Sequence, residues 1–152
     1  MAQRIKIGDF FEIPLPDGRF AYCQHVNRND QMGFLVQVLD RISDHSLRIE
    51  NLEGAKPLFP PVFVGLRASV RSGRWKRIGN KPVTDFKFPL FRATSATKPG
   101  QYENWWLFDG QTQRFIGAPP AELRSLEVEV VWGDELLERR IVTGHHIFES
   151  VV

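Results

Sequence analysis

"GDFFEIPLPDGRFAYCQHV" spans Gly8 to Val26, and its reading decides the fold class. An apolar run, Phe10–Leu15, precedes the knot Pro16-Asp17-Gly18-Arg19, and a second run continues to Val26. Proline presets φ and Asp-Gly tolerates positive φ, so the chain reverses at this knot. Alternation along the second run places Phe20, Tyr22, Gln24 and Val26 on one face, and Ala21, Cys23 and His25 on the other. Gly8–Val26 is therefore a β-hairpin, with Phe10, Ile13 and Tyr22 expected in the core. Asn27–Gly33 is polar and turn-rich, and Phe34–Asp40 then reads as a third strand. A three-stranded meander opens the chain.

Working outward, Arg41–Pro57 carries no sustained helical period and reads as an excursion with at most a short helix. Pro60–Arg67 is a strand entered through two prolines. Arg67–Asn80 reads as a second hairpin about Ser72-Gly73, with Val70 and Trp75 helping to cover the core. Phe86–Arg92 alternates but is interrupted at Pro89. Ala93–Asn104 is the most loop-like run. Trp105–Gly117 is a third hairpin turning at Asp109-Gly110, and Ala121–Leu123 can form one helical turn after Pro119-Pro120. Leu126–Trp132 is the cleanest strand pattern. Glu135–Val142 fits a strand or a helix, and Gly133-Asp134 ahead of it favours a strand paired back onto Leu126–Trp132. Ile147–Val152 is expected to add a short strand. The fold class is mainly β (α+β): a strongly curved antiparallel sheet or partly open small barrel of about eight strands, built from hairpins with little helix.

The 152 residues suit one domain, 1–152, and 42% hydrophobic residues can build a core. Twelve Phe and four Trp against two Tyr favour sheets over a helical bundle. No segment approaches the roughly 18 apolar residues of a membrane span. MAQRIKIGDF lacks the apolar core and small-residue cleavage site of a signal peptide. Cys23 is the only cysteine, so no disulfide can form within the chain, and a cytoplasmic location is expected.

The formal net charge of +2 hides an uneven distribution. Arg67–Arg92 holds eight basic residues against one acid, whereas Glu122–Glu149 holds seven acids against three arginines. Partial mutual neutralisation of the two segments, or plain solvated strand faces, is the plainest reading. A basic docking surface for an acidic partner is the next, and nucleic-acid binding by segment 67–92, with Trp75 and Phe86 as stacking platforms, is the alternative.

No catalytic constellation emerges. His145-His146 is the one histidine pair, and adjacent residues diverge too far to share a metal without further ligands. Cys23 and His25 can share a strand face, but a mid-strand thiol reads as an inert core group. Phosphate loops, dinucleotide fingerprints and nucleophile elbows are missing from the sequence. No catalytic residue, cofactor or metal is assigned. Trp105 and Trp106 must point to opposite faces of their strand: one belongs to the core, and the other either lies at a surface, an edge or a second layer, where it can anchor a partner, or is covered because both sheet faces are.

Three stretches, Lys6–Val26, Pro60–Leu66 and Trp75–Val83, together resemble the immunity protein 26 family of bacterial polymorphic-toxin systems. The features carrying the resemblance are Gly8-Asp9, Ile13-Pro14-Leu15, Asp17-Gly18-Arg19 and Tyr22 in one hairpin. It implies an antitoxin that binds and neutralises a cognate toxin by stoichiometric occlusion, without catalysis. The expected partner is a toxin domain rather than a membrane or nucleic acid. The expected contact residues are Arg71, Arg74, Lys76, Arg77, Tyr102, Trp105 and Trp106. Charge reversal at Arg74 and Arg77 is expected to weaken binding while leaving thermal stability unchanged.

Overall fold

The computed structural model describes residues 4–94 and 104–144. These fall into two compact units, residues 4–86 with 131–144, and residues 87–94 with 104–130. Ten strands and two α-helices are present among the described residues, in two mixed sheets.

The first unit begins with the meander the sequence announces: β1 (Asp9–Pro14), β2 (Phe20–Asn29) and β3 (Gly33–Val38), each antiparallel to the next. The turn is pinned as its residues require. Gly18 takes a positive φ of 87°, and the Asp17 carboxylate accepts hydrogen bonds from the backbone N–H and Nε of Arg19. Phe10, Ile13 and Tyr22 are all buried. A bulge between His25 and Asn27 breaks the simple alternation late in β2.

Both faces of the meander are covered. Phe10 and Tyr22 form a cluster with Leu39 and Leu52, and Leu47 and Ile49 pack against it. These residues come from the excursion after β3, which contains one 3₁₀ turn (Ile49–Leu52) and is tied back by the Tyr22 hydroxyl accepting the Leu47 N–H at 2.7 Å. On the other face Phe11, Ile13, Ala21 and Cys23 have no exposed surface.

Two further strands, β4 (Val62–Val64) and β5 (Lys76–Asn80), extend this sheet on opposite sides. The expected second hairpin is not formed. Leu66–Arg71 is helix α1, with Leu66 and Ser69 buried one turn apart, and Gly73 (φ 80°) redirects the chain into β5. β5 pairs with β1, not with the preceding arginine run. Gly8 makes this pairing possible: it sits at φ 95°, and a Cβ there would meet the Lys81 carbonyl oxygen.

Leu126–Trp132 is not one strand. β9 (Glu127–Val128) joins the second unit, and β10 (Val131–Trp132) runs parallel to β4 in the first. A tight Val130 N–H to Val128 C=O bond at 2.9 Å marks the break. Glu135–Val142 is not a strand either. It lies in helix α2 (Asp134–Thr143), which closes on Gly144 at φ 77°. Asp134 and Glu135 favour its N-terminal turn, and Leu137 and Ile141, four apart, are its buried stripe. The first sheet thus reads β10-β4-β3-β2-β1-β5.

The second unit holds β6 (Phe91–Thr94), β7 (Trp105–Phe108), β8 (Gln113–Gly117) and β9, in the order β8-β7-β6-β9. The β7–β8 hairpin turns at Asp109-Gly110 as read: the Asp109 carboxylate accepts N–H bonds from Gln111 and Thr112, and Gly110 has φ 99°. Phe88, Phe91 and Phe108 pack edge-on or tilted within 6.5 Å of one another. Pro89 delays the strand, which starts only at Phe91. The helical turn read at Ala121–Leu123 is present and is a 3₁₀ turn. Each sheet includes one parallel pair, so neither is purely antiparallel, and neither closes into a barrel.

Candidate functional site: a cation-lined cavity

The basic run from Arg67 to Arg77 passes along α1, round Gly73 and into β5. This path wraps its cations about a cavity of about 660 Å³. Arg67, Arg71, Lys76 and Arg77 line it, joined by Arg4 from ahead of β1 and Arg28 from the end of β2. The apolar lining is Ile5, Phe34, Val70 and Trp75. No carboxylate lines the cavity among the described residues.

Two of these cations are held in place by an aromatic ring. The Arg28 guanidinium carbon lies 4.9 Å from the Phe34 ring centroid, and that of Arg67 lies 5.6 Å away. Arg28 and Phe34 face each other across β2 and β3, so strand register builds the first contact. His25 meets the same ring edge-on at 5.2 Å.

The remaining arginines of the run are tied into the fold. Arg74 makes a bidentate bond to Glu138, Nε to Oε2 and Nη2 to Oε1, both at 2.8 Å. Glu138 is 2% exposed and also accepts the Trp75 indole N–H at 2.8 Å. Asp134 lies 3.7 Å from Arg74 Nε and accepts the Ser69 hydroxyl at 2.8 Å. This knot joins α2 to α1 and to the start of β5. It is also a neutralisation of the basic segment by the acidic one, as expected.

Arg77 is likewise engaged: its Nε lies 3.0 Å from Asp9 Oδ1. Asp9 is fully buried. Burial opposes its ionisation, but hydrogen bonds from Asn80, the Lys6 N–H and Arg77 outweigh burial and hold its pKa below the ordinary carboxylate range. Charge reversal at Arg74 or Arg77 therefore strikes a buried acid, and the expectation of unchanged stability is withdrawn. By contrast, among the described residues no carboxylate pairs with Arg4, Arg28, Arg67, Arg71 or Lys76.

Of the residues singled out in the sequence, Arg71, Lys76 and Arg77 converge on the cavity, whereas Arg74 turns to Glu138. Trp105 and Trp106 belong to the second unit and divide as expected. Trp105 is fully buried, with the Arg92 guanidinium 5.1 Å from its ring. Trp106 is half-buried and packs edge-on against Phe115, which is 59% exposed. Tyr102, the His145-His146 pair and the short strand read at Ile147–Val152 lie outside the described residues. Sequence reasoning missed Arg4 and Arg28. Arg28 was legible in principle, because the turn-rich Asn27–Gly33 sets it opposite Phe34.

Cys23 and His25 do not form a reactive pair. Cys23 is fully buried, and burial pushes its thiol pKa up, away from the nucleophilic thiolate. His25 is held below its usual pKa by burial, and its Nδ1 lies 3.0 Å from the Lys6 carbonyl oxygen, which fixes the proton on Nδ1 in the neutral ring. No group of three or more His, Cys, Asp or Glu side chains able to hold a metal is found among the described residues. No helix there is long and apolar enough to cross a membrane.

Compared with known protein families, the chain matches the model of immunity protein 26 over residues 6–101. That match takes in the meander, the cavity lining apart from Arg4 and Ile5, and the start of the second unit. No curated protein and no solved structure matches the chain.

Proposed function

This chain belongs to the immunity protein 26 family, and we propose that it neutralises a cognate bacterial toxin by binding it one to one in the cytoplasm and occluding it. The family match over residues 6–101 carries this reading. The first unit supports it physically. Its scaffold residues are committed to a covered sheet, while a concave surface is left with exposed cations that no carboxylate pairs among the described residues. Binding alone suffices for such a role, so no bond-making group is required.

The proposed contacts on the first unit are Arg71, Lys76 and Arg77, with Arg74 behind them as a support. On the second unit they are Trp106 and, by its place in the sequence, Tyr102. Trp105, with no exposed surface, acts in the core. The test is to express the chain together with the toxin domain encoded beside its gene. Host cells are expected to survive only when both are made, and the two proteins should elute as a 1:1 complex by size exclusion with light scattering. Absence of a complex at concentrations on the order of 10 µM would remove the reading. A nucleic-acid binder would instead show duplex or single-strand affinity collapsing steeply with salt.

A further inference from the structure

We propose that the cation-lined cavity is the specificity pocket of the complex, and that it receives a protruding, carboxylate-bearing segment of the toxin. This rests on the antitoxin reading above and adds what the toxin must present. The first argument is charge. Five cations at one aperture, Arg4, Arg28, Arg67, Arg71 and Lys76, have no carboxylate partner among the described residues. Like charges lining one cavity repel one another, and a bound acid relieves that repulsion.

The second argument is shape. About 660 Å³ of concave space with an apolar lining suits an inserted side-chain cluster, not a flat contact. Ile5 and Val70 offer burial to an apolar residue beside the acid. Such an anchor, an apolar side chain flanked by carboxylates, meets both halves of the lining.

The third argument separates a protein segment from a nucleotide or single-stranded nucleic acid. Those ligands need aromatic faces free for base stacking. Trp75 is 1% exposed, and its indole N–H is given to Glu138. Phe34 already carries two guanidiniums and the His25 edge. Neither ring offers a base a stacking face, and what remains is guanidinium N–H groups in a fork geometry that carboxylates, like phosphates, accept.

The experiment is calorimetric titration of the toxin domain encoded beside the gene into the intact chain, the Arg67→Glu/Arg71→Glu variant and the Arg67→Lys/Arg71→Lys variant. Circular dichroism checks that each variant is folded. A Trp106→Ala/Phe115→Ala variant tests a surface remote in sequence. Adenosine triphosphate is titrated separately as the competing class. The double Glu variant is expected to lose roughly 100-fold or more in affinity, the Lys variant to lose less, and raised salt to weaken the wild-type complex more than the Glu variant. A complex whose affinity is the same in wild type and the Glu variant overturns the pocket while leaving the antitoxin reading intact. No complex with any form overturns both. Saturable binding of the nucleotide that the Glu variant abolishes, with toxin binding unaffected, reassigns the pocket and overturns the proposal.

Discussion

Arg71 and Arg74 stand three residues apart on one basic run, yet they belong to different regions of the molecule. Arg74 is clamped on a nearly buried glutamate that also holds the Trp75 indole. Arg71 opens onto the cavity with no carboxylate near it. The first region spends its charge on joining α2 to α1 and β5. The second keeps its charge uncompensated. The lesson is that a charge run does not act as a unit: which of its members are available depends on acids brought in from elsewhere in the chain. Here the acid arrives from position 138, on a helix more than sixty residues further along.

The largest effect should come from removing the centre of the clamped region. Glu138→Ala leaves the Trp75 N–H without its acceptor in a buried setting and Arg74 without its fork partner. Stranding a buried indole N–H and losing the charge-assisted bonds from Trp75 and Arg74 costs about 3 kcal/mol. For a chain of this size that lowers the melting temperature by roughly 6–12 °C. Thermal circular dichroism measures it, and a shift below about 2 °C would erase the distinction between the two regions.

Asp9 gives the next effect, and it depends on pH. Its folded-state pKa lies below the unfolded value of about 3.9, so the unfolded chain takes up the proton more readily. The stabilisation is complete above that unfolded value and drains away as pH falls through the depressed folded one. His25 shares the sign in a higher window. Its folded pKa is lowered by burial, so its contribution is present above about 6.5 and declines as pH falls below it. Urea melts between pH 7 and 2 should show both declines. Asp9→Asn should cost about 2 kcal/mol at pH 7 and flatten the lower one. An unchanged acid limb in that variant would show that Arg77 is as free as Arg71.

How much of this could be read from the sequence follows from what each signal reports. The meander was legible because Asp17-Gly18 and the alternation around Tyr22 are local, and local geometry fixes both turn and register. The Asp109-Gly110 hairpin and the opposite burial of Trp105 and Trp106 were legible for the same reason. Leu126–Trp132 misled because alternation reports faces, not partners: two residues pair in one sheet and two in the other. Glu135–Val142 was misread because Gly133-Asp134 serves equally as a turn or as a helix start, and the left-handed stop at Gly144 decides for the helix. The arginine run was misread as a strand because α1 is short, and its burial at Leu66 and Ser69 spans only one turn. The family was legible from the Lys6–Val26 hairpin, Pro60–Leu66 and Trp75–Val83, the last of which also carries Lys76 and Arg77 to the cavity. The cavity was only partly legible, since Arg4, Arg28 and the run meet through tertiary structure alone.

The smallest effect is the most discriminating, because it uses one substitution on both regions. Arg71→Gln removes a cation that makes no ion pair among the described residues, so stability should stay within about 0.5 kcal/mol of wild type. Arg74→Gln removes the fork from a carboxylate that remains buried beside Trp75, and an uncompensated buried charge is costly. Side by side in urea, the Arg74 midpoint should fall clearly and the Arg71 midpoint should hardly move, with equal slopes for both. If the two midpoints fall together, the cavity rim is as structural as the knot behind it, and its cations are not waiting for a partner.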